Sequence, residues 1–265
     1  MTDTTPTPRP AADEPLALTV RDLTKTFTMH AIGGRVVDSL RGVSFDMRAG
    51  EHVAIAGASG AGKSSLLRCV YRNYLPDSGS VVLHTPERDI ELTGLPDRAM
   101  ARLRGRDFGY VSQFLDAPPR TGPLELVTAA ALRRGHSRED SRTLAERALE
   151  SLGIHRLLWE IDCSVLSGGE RQRVNLAAGV VSPPRLLLLD EPVSALDPAN
   201  RERALTLIDD LARQRVAVLA VYHDMAIIRR LAGRVLVMED GRITDDGTPD
   251  EVLGHHHASL EEVPA

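Results

Sequence analysis

The run Gly57-Ala-Ser-Gly-Ala-Gly62-Lys63-Ser64 constrains this 265-residue chain more than any other segment. It follows the apolar stretch His52–Ala56 directly and leads into a helical pattern from Ser64 to Arg72. That is the setting which the spacing GxxxxGK[ST] requires. Glycines let the backbone curl until successive N–H groups point inward, and the start of a helix adds favourable dipole at the same place. Such a nest suits phosphate oxygens. Gly57, Ser59, Gly60 and Gly62 are the candidate cradle. Lys63 offers a point charge for the outer phosphates, the Ser64 hydroxyl a ligand for Mg²⁺, and Ser65 a reach to the α-phosphate. The fixed positions of this motif coincide by accident in roughly one chain in a hundred of this length. The strand before and the helix after make accident rarer still.

A second element complements the first. Leu186–Leu189 is apolar at every position, as in a strand covered on both faces, and it ends in Asp190, Glu191 and Pro192. Asp190 is placed to hold Mg²⁺, and Glu191, one residue on, to orient and polarise an attacking water. Short apolar runs alternate with longer helical patterns along the rest of the chain, which predicts an α/β fold on a largely parallel sheet. The expected strands are Leu16–Val20, Val43–Met47, His52–Ala56, Ser80–His84, Phe108–Val111, Leu186–Leu189, Val216–Tyr222 and Arg234–Met238. Ser137 and Asp140 stand at capping spacing, Leu144, Ala148 and Leu152 recur at helical intervals, and Gly153 closes that helix. The stretch from about 116 to 165 interrupts the alternation and predicts an inserted helical subdomain.

Charge and hydropathy exclude other classes. A net charge of −5 and a pI near 6.0 argue against nucleic acid as an obligatory partner. No stretch without Asp, Glu, Lys or Arg is longer than Val174–Pro184, which His52–Gly62 equals, whereas a membrane helix needs about 20 apolar residues. Met1–Pro15 reads as a disordered tail and not as a signal peptide. The chain from Gly254, with His255, His256 and His257, reads as a second flexible tail. Cys69 and Cys163 match no metal spacing and fit a reduced, cytoplasmic chain.

Leu166-Ser167-Gly168-Gly169-Glu170-Arg171-Gln172-Arg173 adds a third motif. With the two elements above, it resembles the nucleotide-binding domain of ATP-binding-cassette (ABC) proteins. The rest of that pattern follows in order: Gln113 in Tyr110-Val-Ser-Gln-Phe114 resembles the Q-loop, Ser194–Asp197 the D-loop, and His223 the switch histidine. Phe27 stands where the family often stacks an aromatic on adenine. The resemblance spans about residues 16–252. It implies a P-loop NTPase fold with a RecA-like, mostly parallel sheet core, an antiparallel β-subdomain and the inserted helical subdomain, the domain covering 16–253. It implies ATP and Mg²⁺ as cofactors, with Gln113 joining Ser64 and Asp190 at the ion. It also implies a sandwich with a second ABC subunit, a copy or a paralogue. Ser167, Gly168, Gly169 and Asp197 would then meet nucleotide on the opposite subunit, with Glu191 as general base and His223 on the γ-phosphate.

Within the family, the chain is similar to the cassette subunit of the bacterial carbon–phosphorus lyase system (the PhnL-like proteins). The residues that carry this likeness are Tyr71-Arg-Asn-Tyr-Leu-Pro-Asp-Ser-Gly79, Val111–Leu115 with Pro119-Arg120, Leu158-Trp159, Arg173–Asn175 and Tyr222–Asp224. The likeness implies phosphonate use and core subunits that make α-D-ribose 1-methylphosphonate 5-triphosphate. Ala178 and Val193 depart from that pattern, where an arginine and a threonine are usual. Two rivals make different expectations. A transport ATPase of the lipoprotein-release or macrolide-export type would dock a permease near Gln113–Thr121. A regulatory cassette would bind ATP and hardly hydrolyse it, against which Glu191 and His223 speak.

Overall fold

The computed structural model describes residues 14–29, 34–115 and 117–255. The chain opens with a long antiparallel pair, β1 (Leu16–Met29) and β2 (Arg35–Arg48), and passes through β3 (His52–Ala56) into α1 (Lys63–Val70). β4 (Ser78–His84) and β5 (Asp89–Glu91) return to the first pair, making a four-stranded antiparallel sheet in the order β2-β1-β4-β5. α2 (Asp97–Arg106) and β6 (Phe108–Val111) follow. Both β1 and β2 extend well beyond the expected Leu16–Val20 and Val43–Met47. Register shifts between Val20 and Thr24, with Asp22 at φ 47°, break the two-residue alternation that marks a strand in sequence.

Helices then dominate: α3 (Pro123–Arg133), α4 (Arg138–Ser151) and α5 (Gly168–Val180), which pack on one another. Ser137 caps α4 by accepting from the Asp140 N–H at 3.1 Å. The alternation resumes with β7 (Leu186–Asp190), α6 (Pro198–Arg213), β8 (Ala217–Val221), α7 (Met225–Leu231), β9 (Arg234–Glu239), β10 (Arg242–Gly247) and α8 (Pro249–His255). The second sheet has six strands in the order β10-β9-β3-β8-β7-β6, parallel except for β10. β10 is polar and half-exposed at the sheet edge, so no apolar pattern announces it.

Side chains of this sheet alternate between two cores. Leu187, Leu189, Val218 and Ala220 face α3–α6, whereas Leu186, Leu188, Leu219 and Val221 face α1 and the antiparallel sheet. All eight are fully buried. That two-sided burial is the reason Leu186–Leu189 is apolar throughout, each leucine contributing roughly 1.5–3 kcal/mol relative to exposure.

The ends differ from expectation. Glu14 and Pro15 are not part of a free tail. Arg48 Nη1 donates to the Glu14 carbonyl at 2.6 Å, the Ala49 N–H to the Pro15 carbonyl at 2.9 Å, and the Glu14 carboxylate pairs with Arg215. At the other end Gly254 and His255 belong to α8. Residues 1–13, His256, His257 and the remainder of the expected second tail lie outside the described residues. Among the described residues no helix is long and apolar enough to cross a membrane.

Candidate active site

Four neighbouring parallel strands deliver the site. The glycine loop leaves the carboxyl end of β3, His223 stands two residues past β8, Asp190 and Glu191 end and follow β7, and Gln113 stands two residues past β6. Open α/β sheets bind ligands at this edge, where chain direction brings loops and helix N-termini together.

The glycine loop has no room for side chains where it matters. A Cβ on Gly57 would lie 2.2 Å from the Met238 carbonyl oxygen, and one on Gly62 would lie 2.4 Å from that of Ser39. Both also have positive φ, 142° and 101°. Lys63 Nζ donates to the Gly57 and Ala58 carbonyls at 2.7 and 2.8 Å, so its charge is held inside the loop. Burial keeps the Lys63 ammonium below its ordinary value, and the charges of Glu191 and Asp190 offset part of that. Ser65 Oγ is tied to Ser39 of β2 at 2.8 Å.

Next to the lysine, Ser64 Oγ donates to Asp190 Oδ1 at 2.9 Å. Asp190 is 1% exposed, and its other oxygen accepts from the Tyr110 hydroxyl at 2.9 Å. Burial, followed by the Asp190 charge, pushes the Tyr110 phenol well above its ordinary value, so it remains a donor at neutral pH. Paired hard oxygens at the helical end of a phosphate loop fit Mg²⁺.

Glu191 adjoins this pair. His223 Nε2 lies 2.6 Å from Oε1, and Gln113 Nε2 donates to Oε2 at 3.1 Å. The backbone of Glu191 is left-handed, φ 53°, which costs a non-glycine residue about 1 kcal/mol. Its neighbours over-determine that conformation. The Glu191 N–H donates to the Val221 carbonyl at 3.2 Å, while its own carbonyl accepts from Gln172 Nε2 at 2.7 Å. Strain held in this manner is typical of functional positions.

Other expected site residues make no hydrogen bond to this cluster, although Gly168 lines a cleft with Gln113 and Glu191. Ser167 opens α5 as a capping box with Glu170, leaving Gly168 in the first, exposed turn. Asp197 caps α6 by accepting from the Ala199 and Asn200 N–H groups, both at 3.1 Å. Phe27 pairs with Val37 on the β1–β2 ladder, two residues from the Ser39 that touches Gly62 and Ser65. Its ring meets Tyr74 edge-on, with centroids 5.1 Å apart. Sequence reasoning assigned no role to Tyr110 or Gln172. Gln172 also accepts from the Ala195 N–H at 2.9 Å, joining α5 to the turn after β7. At 3% exposure it is a buried amide in a helix, and a polar residue spaced among the apolar positions of α5 was the available signal.

A phosphate-shaped loop, an acidic strand end and a glutamate held between two polar side chains define a nucleotide-binding α/β cassette. The family model for ABC transporters matches residues 40–194, and the chain belongs to that family. It is 34% identical over 253 residues to the methionine import ATP-binding protein MetN of Sodalis glossinidius, covering 92% of this chain and 68% of that one. It is 35% identical over 249 residues to the phosphonates import ATP-binding protein PhnC 2 of Haloarcula marismortui, covering 89% and 86%. The dimeric post-hydrolysis cassette MJ0796 bound to ADP and Pi superposes with a TM-score of 0.78 at 27% identity, over 88% of this chain and 98% of that one. The chain is therefore an ABC ATPase that binds ATP with Mg²⁺.

Proposed function

We propose that this cassette hydrolyses ATP in a sandwich of two subunits, with Glu191 as general base. The observation that carries the reading is Glu191 itself, a carboxylate in strained backbone, held by His223 on one oxygen and Gln113 on the other. In this reading the loop from Gly57 to Ser65 holds the phosphates and Phe27 faces the base. Ser64, Asp190 and Gln113 would hold Mg²⁺, which neutralises phosphate charge when bound. Glu191 takes a proton from water, His223 orients the carboxylate and reaches the γ-phosphate, and Gln113 reports the site to the helices at 116–165. Ser167, Gly168, Gly169 and Asp197 serve the nucleotide of the opposite subunit. Ser167, Gly168 and Asp197 are exposed and Gly169 is half-buried on the single chain, in agreement with that role. The working unit is residues 16–253, on the cytoplasmic side.

We further propose that the machine it energises handles phosphonates, as the cassette of a carbon–phosphorus lyase assembly that makes α-D-ribose 1-methylphosphonate 5-triphosphate. The support is the runs Tyr71–Gly79 and Leu158-Trp159, which lie outside the shared motifs, together with the residues that flank Gln113 in Val111–Leu115 and His223 in Tyr222–Asp224. The second reading is a transport ATPase. It draws on the import functions in the names of MetN and PhnC 2. It also draws on Gln113, Phe114, Pro118 and Pro119, which line a cleft of about 690 Å³ shared with Gly168 and Glu191. Capture with tagged Glu191→Gln and Mg·ATP from phosphate-starved native cells, read by mass spectrometry, separates the two. Phosphonate-pathway subunits on the bead support the first, and an integral permease replaces it with the second.

A further inference from the structure

Behind Tyr110, at the β6 edge of the six-stranded sheet, lies a smaller cleft of about 150 Å³. Arg104 of α2, Arg133 of α3 and its C-cap Arg134 line it with Tyr71, and Ala178 and Gly179 of α5 give it room. Two of the guanidinium groups are fixed in place. Arg104 Nη2 donates to the Tyr71 and Arg72 carbonyls at 2.9 and 2.8 Å, and its guanidinium carbon lies 4.7 Å from the centre of the Tyr71 ring. Arg134 Nη2 donates to the Gly179 carbonyl at 3.2 Å.

Part of each of these two guanidiniums is also closed off without a partner. Arg104 Nε and Arg134 Nη1 are buried without a protein acceptor. No described carboxylate forms an ion pair with Arg104, Arg133 or Arg134. Burial, followed by the Arg133 charge, pulls the Arg134 guanidinium down to about 10. Burial raises the Tyr71 phenol above its ordinary value, the charges of Arg104, Arg133 and Arg134 offset part of that, and its hydroxyl is without a hydrogen bond among the described residues. A partly buried cluster of one sign is costly unless something neutralises it.

We propose that this cleft binds a small tetrahedral oxyanion of the phosphate or phosphonate class, held by Arg104, Arg133 and Arg134 with the Tyr71 hydroxyl as a further donor. Guanidinium forks match such an anion in geometry and charge. The volume equals that of about five waters, which a phosphate-sized anion and its last waters fill and a nucleotide exceeds. The site is separate from the glycine loop and does not depend on which larger machine the cassette serves.

The test is titration calorimetry of inorganic phosphate and of methylphosphonate into the full chain. The chain is first saturated with Mg²⁺ and a non-hydrolysable ATP analogue, so that the glycine loop and its γ-phosphate place are filled. One saturable anion per chain is expected, and Arg133→Ala, at an exposed position, should weaken it about tenfold while leaving analogue affinity unchanged. Arg134→Lys, which keeps the charge and loses the fork, should fall between the two. Tighter binding of phosphate or of methylphosphonate names the physiological source, and either supports the site. Absence of saturable binding, or equal affinity in Arg133→Ala, overturns it. Acetate displacing phosphate at equal concentration also overturns it, since the cleft would then take a carboxylate.

Discussion

His223 Nε2 lies 2.6 Å from Glu191 Oε1, while Gln113 Nε2 holds Oε2 at 3.1 Å. The carboxylate is therefore oriented from two elements, the loop after β8 and the loop after β6, and a shift of either changes where it points. In its proposed role as general base, Glu191 would act on water only with both loops in position. On that proposal, movement in the helices that follow Gln113 would be linked to hydrolysis.

Glu191→Gln keeps the shape and loses the proton acceptor. Turnover should fall by about 100-fold or more, the range for a positioned general base, while ATP affinity stays within a few-fold of wild type. The variant should remain dimeric in Mg·ATP by light scattering. Dissociation in excess ATP would remove the sandwich model, and unchanged turnover would remove Glu191 as base.

Lys63 reaches two carbonyls of its own loop, so its ammonium sits where phosphate charge would arrive. Lys63→Ala removes that charge from a buried place. ATP affinity should drop by about 3 kcal/mol, more than a hundredfold, in a fluorescent-nucleotide titration. Near wild-type binding would contradict the assignment of the loop.

Tyr110 is a positioning residue for Asp190. Its hydroxyl fixes the second oxygen of Asp190, whose first oxygen meets Ser64. Removing a group that orients a metal ligand costs about 10–100-fold in metal affinity. Tyr110→Phe should therefore raise the Mg²⁺ concentration for half-maximal ATPase by about tenfold while maximal turnover at saturating Mg²⁺ changes little. A loss of turnover that Mg²⁺ does not restore would instead make Tyr110 a packing residue.

Much of this was legible from residue order alone. The glycine loop, the Leu186–Leu189 strand and the signature at Ser167 are local patterns whose chemistry depends on spacing, and the fold keeps that spacing intact. The length of β1 and β2 was hidden because bulges near Asp22 reset the alternation on which strand reading depends. β10 was hidden because an edge strand with one wet face needs no apolar run. Tyr110 and Gln172 were hidden for another reason: each acts on a residue 80 or 19 positions away, through contacts that only the tertiary fold creates. The arginine cleft has the same origin, since α2, α3 and α5 meet over β6 only after the chain has folded.

His52 supplies the pH dependence. It is 2% exposed at the start of β3, its Nε2 lies 3.1 Å from the Tyr222 hydroxyl, and its Nδ1 has no partner. Burial pulls the imidazole down to about 3, so the folded chain keeps it neutral. An unfolded chain protonates the same ring below about 6.5. The folded value is the depressed one, so the stabilising contribution is complete above 6.5 and is lost as pH falls from there towards 3. Once pH is a unit below the unfolded value, the loss approaches about 1.4 kcal/mol per pH unit. Urea unfolding at pH 7, 6 and 5 measures it. His52→Gln, which retains a partner for Tyr222, should be less stable at pH 7 and show a shallower fall towards pH 5, because the other titrating groups are common to both proteins. Parallel stability curves for the two would mean that His52 is protonated in the folded protein and that its burial does not govern its charge.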